Sequence, residues 1–146
     1  MTTTKKLKIW TILSHACIVV GFGHGVIILL LIEIMWFPYF TRDFSFFFNE
    51  SFAKHLPVVG FTTLLGQAAL IISILNTKQV IKLVSQIGGV ILLWASIFYF
   101  TNYVNEDSDI VFVTLTSVPF VICTIITFLG EPIKNIYDKI HKSVFD

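Results

Sequence analysis

The chain has 146 residues, of which 55% are hydrophobic and only 13% are charged, and its formal net charge is +1. Soluble domains carry about 25% charged residues, so this composition excludes an ordinary water-soluble globule and fits a single domain embedded in a lipid bilayer. A net charge so close to zero offers no broad field that would attract nucleic acid. Cys17 and Cys123 form no CxxC or Cys/His cluster, which leaves a disulfide scaffold or a zinc site without support.

Four apolar runs follow one another along the chain, at about residues 9–36, 56–75, 80–103 and 110–129. Each run reaches the roughly 20 residues that a helix needs to cross the hydrocarbon layer. None shows the alternation of a barrel strand, so helices are favoured. The first run is longer than the apolar part of a signal peptide, and bulky residues follow it, which indicates an uncleaved span. The sequence therefore predicts an all-α bundle of four transmembrane helices.

Basic residues are concentrated on one side of this bundle. Eight of the ten Lys and Arg residues lie in the two termini and in the turn between the second and third runs, whereas the opposite side holds only Arg42 and Lys54. Positively charged loops stay in the cytoplasm. We therefore expect a multi-pass membrane protein with both termini cytoplasmic.

Two amphipathic segments flank the spans. Residues 40–54, on the outer side, are rich in phenylalanine, and Phe44, Phe47, Phe48 and Phe52 recur at helical spacing. This loop or helix is predicted to lie in the outer headgroup region or against the bundle, as a packed lid, a lateral gate or a lipid contact. Residues 132–145 show a similar pattern, which predicts a short amphipathic helix on the cytoplasmic surface.

Ionisable residues inside an apolar run are costly and often functional, and the first run holds His15, His24 and Glu33. On one continuous helix, His15 and Glu33 would share a face and His24 would point the opposite way. The helix rise places Glu33 near the outer interface, where it would pair with Lys54 or His55. His24, near mid-membrane, is predicted either to bond to a neighbouring helix or to ligate haem or a metal.

Histidines are absent from the third and fourth runs, so the sequence argues against a bis-histidine haem within one chain. A haem would need two copies of His15 or His24 across a dimer, and no metal site is predicted. Gln67 and Gln86 lie inside the second and third runs, where their amides can link helices through hydrogen bonds.

Small residues predict two seams of close helix packing. Gly21-x-x-x-Gly25 in the first run matches the close-approach pattern, and Ser85-x-x-x-Gly89 in the third run is a weaker version of it. The second seam continues at seven-residue spacing through Gly88, Gly89, Ala95 and Ser96. Such seams can lie within the bundle or between subunits.

No hydrolase, metalloprotease or phosphate-binding motif is present in the sequence. The leading hypothesis is a non-catalytic accessory, scaffold or assembly subunit that contacts the lipid bilayer and packs against its own copies or another membrane protein. The alternative is a redox component, with haem or quinone, or a proton or small-solute transport component. That alternative would use His15, His24, Glu33 and His55.

The charge distribution predicts where added labels will be accessible. Tags at both termini should be cytoplasmic, and a Ser108→Cys variant should react with a membrane-impermeant thiol reagent from outside the cell, because positive loops stay inside. Accessibility is measured on intact cells and compared with permeabilised cells. Labelling of the C-terminus in intact cells would contradict the orientation.

Overall fold

The computed structural model describes residues 3–22, 25–39, 52–103 and 111–128, and these are mostly helical. The chain begins with helix α1, Thr3–Ala16. Two short antiparallel strands follow, β1 at Val19–Phe22 and β2 at Gly25–Ile28. The short helix α2, Leu29–Trp36, continues directly from β2, and a single 3-10 turn, Phe37–Tyr39, follows it.

Three long helices make up the rest of the described chain: α3 at Phe52–Leu75, α4 at Gln79–Tyr103 and α5 at Val111–Phe128. Within the described residues, these three are long and apolar enough to cross a membrane, with mean hydropathies of 2.1, 1.8 and 2.2 over their spans. They coincide with the second, third and fourth predicted runs. The chain is therefore a small multi-pass membrane protein with three candidate spans in the described part.

The prediction of one continuous helix over 9–36 is wrong. α1 ends at Ala16, and the chain then forms a hairpin in which Val19 pairs with Ile28 and Phe22 with Gly25. Local chemistry explains the break. Valine and isoleucine dominate both strands, and their branched side chains favour extended backbone over helix. Glycine costs a helix about 1 kcal/mol relative to alanine, and three glycines fall within five positions, at 21, 23 and 25.

The same break overturns two predictions that assumed a continuous helix. Gly21 and Gly25 lie in the paired strands β1 and β2, so they do not form one stripe on a helix. His15 lies in α1 and Glu33 in α2, so they do not share a helix face. His24, between the strands, lies outside the described residues.

Backbone N–H groups at the base of the hairpin find hydrogen-bond partners. The Leu29 N–H donates to the Ile18 carbonyl at 2.8 Å, and the Val19 N–H donates to Thr116 Oγ1 of α5 at 3.0 Å. Apolar side chains around the hairpin form one buried cluster: Ile18, Val20, Leu29, Ile32, Leu56, Val59 and Val113. One side of the non-helical segment thus packs against α3 and α5, while Val26 of β2 is 64% exposed.

Helices α3 and α4 approach closely at two glycines. A Cβ atom on Gly89 would lie 2.9 Å from the Gly66 carbonyl oxygen, and one on Gly66 would lie 2.8 Å from Leu93 Cδ2. Only residues without a side chain allow this contact. Gly88 differs, because a Cβ there would meet no atom of the described residues within 4 Å.

The two halves of the predicted α4 seam therefore face different surroundings. Gly89 and Ser96 are buried against the rest of the chain, while Ala95 is exposed and Ser85 is half-buried. The phenylalanine-rich segment is described only from Phe52, where α3 begins, and the tail helix predicted at 132–145 lies outside the described residues. Both amphipathic segments stay predictions.

The glycine contact predicts opposite results at two adjacent positions. Gly89→Ala should lower the Tm in mild detergent, because the new methyl group meets the Gly66 backbone, and overpacking costs about 1–3 kcal/mol. Gly88→Ala is the matched control and should leave the Tm unchanged or raise it slightly, since alanine favours helix over glycine. Thermal unfolding followed by circular dichroism tests both, and an equal loss in the two variants would reject this packing.

Candidate functional site

Three ionisable side chains from the N-terminal segment are buried. Lys8, His15 and Glu33 are each at most 1% exposed. Each side chain contacts α3, α4 or both through hydrogen bonds. Buried ionisable groups of membrane proteins are the default candidates for function, so these three and their partners define the candidate site.

Lys8 contacts the end of the bundle where α3 and α4 meet. Its Nζ donates to Ser73 Oγ at 2.6 Å, and Ser73 Oγ donates to the Lys82 carbonyl at 2.9 Å. Ser73 lies in the last turn of α3 and Lys82 in the first turn of α4. Lys8 is one of the basic residues of the N-terminus from which the orientation is predicted, and its burial was not expected. The signal for burial was its position next to Leu7 and Ile9, where the apolar run begins.

His15 is held by the middle of α4. Its Nε2 lies 3.2 Å from the Leu93 carbonyl oxygen and 3.1 Å from Ser96 Oγ. The Ser96 hydroxyl itself donates to the Leu93 carbonyl at 2.7 Å. Since a carbonyl oxygen only accepts, the tautomer with the proton on Nε2 donates to Leu93 and leaves Nδ1 as a bare acceptor.

The other side of the imidazole ring is apolar. Nδ1 is buried and has no hydrogen-bond partner among the described residues, and the ring packs edge-on against Phe120, with centroids 5.0 Å apart. An unsatisfied buried acceptor costs about 1–3 kcal/mol. Because the ring is fully buried within one chain, pairing two copies of His15 around a haem would require this packing to open.

Glu33 contacts the middle of α3. Gln67 Nε2 donates to both carboxylate oxygens, at 2.9 and 3.0 Å, and the Thr63 hydroxyl is a further hydrogen-bond partner. The predicted position near Lys54 and His55 is wrong. His55 lies in the first turn of α3, twelve residues or about 18 Å before Gln67 along the helix. The antiparallel hairpin turns the chain back on itself, so Glu33 lies less far from α1 along the bundle than the rise of one continuous helix predicts.

An open cleft of about 330 Å³ adjoins Glu33. Its lining comes from α2, the 3-10 turn and α3: Leu30, Glu33, Ile34, Phe37, Leu64 and Gln67. The walls are apolar, and the carboxylate and the amide are the polar groups of the lining. The volume lies near the lower end of the range of small-molecule sites, about 300–1,000 Å³.

Two of the predicted site residues, Glu33 and Gln67, are thus hydrogen-bonded to each other, whereas His15 bonds to a different helix. Gln86 is half-buried in α4. Within the described residues, no three His, Cys, Asp or Glu side chains come together as a metal site would require. Thr63, Ser73 and Ser96 were not predicted as partners, because Ser and Thr in membrane helices commonly bond back to their own helix.

Comparisons with known protein families, curated proteins and solved structures find no match to this chain. The buried polar contacts, the cleft and the packing of the helices are therefore the basis for the functional proposals.

The His15 contacts predict a large effect on stability. His15→Ala should lower the free energy of unfolding by about 2–4 kcal/mol, because it leaves a cavity beside Phe120 and removes the link to α4. Ser14→Ala is the neighbouring control, since Ser14 Oγ bonds within α1, to the Thr11 carbonyl, and to no other helix among the described residues. Denaturant or thermal unfolding in detergent measures both variants. A His15→Ala variant as stable as Ser14→Ala would show that the ring does not hold α1 in place.

Proposed function

We propose that this chain is a non-catalytic accessory or scaffold subunit of a membrane assembly. It acts by packing the outer face of α4 against a transmembrane helix of a second copy or of another membrane protein. The observation that carries the proposal is the contrast between two adjacent glycines, of which Gly89 is packed against α3 and Gly88 faces open space.

Lipid tails provide no hydrophobic force between helices, so association depends on close packing and hydrogen bonds. Small residues permit such packing. Gly88 and Ala95 are two small residues that lie seven positions apart on the open side of α4. α4 is also less enclosed than α3, with 22% of its span buried compared with 39%. This face has the features of a helix-docking surface.

The buried polar groups support a structural role over a catalytic one. Lys8, His15 and Glu33 are each hydrogen-bonded to a neighbouring helix. A redox or proton-transfer role would connect His15 and Glu33. Among the described residues, however, His15 bonds to α4 and Glu33 to α3, without a shared partner.

We extend the proposal to topology, with the N-terminal segment as a fourth crossing and both termini cytoplasmic. The Lys8 contact supports this orientation, because it brings the basic N-terminus to the same end of the bundle as Lys78 and Lys82. Positive charge from two separate segments is thus collected at one membrane face, as expected for the cytoplasmic side.

Substitutions on the outer face of α4 test the scaffold role. Gly88→Leu should dissociate the assembly in mild detergent, because the bulky side chain fills the groove that a partner helix would use. The size of the complex is measured by light scattering and by crosslinking in native membranes. The Tm of the separated chain should change little, because a Cβ at Gly88 would meet nothing within 4 Å in the described part of the chain.

Ala95→Leu and Ala68→Leu form a matched pair, since both alanines are exposed within candidate spans, on α4 and α3 respectively. Only the α4 substitution should weaken assembly. A wild-type chain that is monomeric in native membranes, or a Gly88→Leu variant with its assembly intact, would overturn the proposal.

A further inference from the structure

We propose that the cleft between α2 and α3 binds a lipophilic amine, an amphiphile whose ammonium head pairs with Glu33 and whose apolar chain lies along Ile34 and Phe37. This ligand site is separate from the α4 face and does not depend on the scaffold role. It rests on three features of the cleft: a buried carboxylate in its lining, apolar walls, and a position within the hydrocarbon layer.

The carboxylate defines the head group. Its hydrogen-bond partners Gln67 and Thr63 are neutral, and an ionised carboxylate has about four acceptor positions. Neutral partners orient the group but supply no counter-charge for its ionised form. A charge taken out of water is tolerated when an opposite charge accompanies it, and an ammonium supplies both that charge and N–H donors.

Other head groups fit less well. An alcohol would donate a hydrogen bond but cannot take the carboxyl proton to form an ion pair, while a fatty acid would bring a second carboxyl group against Glu33. An amine and a carboxyl group form a pair that is neutral overall whichever of them holds the proton. Such a pair suits a cleft whose other walls are leucine, isoleucine and phenylalanine side chains.

The walls define the route of entry and the apolar part of the ligand. Ile34 and Phe37 line the cleft and are 61% and 66% exposed, so in a bilayer they face lipid. A ligand therefore enters sideways from the membrane. A cleft of about 330 Å³ holds the head and the first part of an alkyl chain, and the remainder of the chain continues into the bilayer.

Depth excludes the head group of an aminophospholipid. Gln67 lies eight residues, about 12 Å, before the inner end of α3 and about 22 Å after its outer end. Both distances place it inside a hydrocarbon layer about 30 Å thick, below the level of phospholipid head groups. The ligand is consequently an amine that dissolves in the hydrocarbon itself.

The test uses the full chain in phosphatidylcholine nanodiscs with a dodecylamine analogue that carries a diazirine in its alkyl chain. Photolabelling should saturate and map by mass spectrometry to the α2 and α3 residues of the cleft. Unlabelled dodecylamine should compete, whereas dodecanol and added phosphatidylethanolamine should not. Equal competition by dodecanol would overturn the ammonium assignment, and competition by phosphatidylethanolamine would identify a lipid head group in place of a free amine.

Three variants test the residues. Glu33→Gln keeps the shape of the side chain and should weaken labelling about tenfold or more, the loss expected for one charge-assisted hydrogen bond. Leu64→Trp fills the cleft, keeps Glu33 in place and should abolish saturable labelling. If Glu33→Gln does not fold, the Leu64→Trp variant tests on its own whether the amine binds in the cleft. Leu115→Trp, on an exposed position of α5, is the control and should label like wild type. Undiminished labelling of a folded Glu33→Gln or Leu64→Trp variant would overturn the proposal.

Discussion

The constraint on which this structure depends is that backbone polar groups away from water must find partners inside the protein. Helices α3, α4 and α5 satisfy most of it through hydrogen bonds within each helix. The N-terminal segment does not, because its chain leaves helical geometry after Ala16 and re-enters it at Leu29. The hairpin pairs its strands with each other, and Thr116 of α5 accepts the Val19 N–H. Part of this segment therefore packs against α3 and α5, which supply partners that its own backbone lacks.

Polar side chains attach this segment at three levels. Lys8 bonds at the α3–α4 turn, His15 at mid-α4 and Glu33 at mid-α3. In a membrane, each such hydrogen bond is worth only about 1 kcal/mol. Removing one partner costs more, because it leaves a buried polar group unsatisfied. The contacts therefore act mainly by specifying one arrangement of the segment. The close approach of Gly66 and Gly89 gives the α3–α4 pair the rigid surface on which that arrangement is built.

The sequence was sufficient to predict α3, α4 and α5, because length and hydropathy are direct consequences of crossing a bilayer. It was insufficient for the first run, whose hydropathy is equally high but whose β-branched residues and glycines favour a hairpin. Glu33 and Gln67 were both recognised as polar residues in apolar surroundings, yet their contact was missed, because it depends on how far the hairpin shortens the chain. Gly66 was missed for another reason. A lone glycine in an apolar helix carries no pattern until its partner Gly89 is positioned in space.

The hydrogen bonds of the N-terminal segment also impose an order on biosynthesis. Lys8 bonds to a residue made 65 positions later, His15 to residues 78 and 81 positions later, and Val19 to one 97 positions later. When this segment leaves the ribosome, none of those partners exists. The part of the chain that is synthesised first is therefore completed last, after α5 has emerged.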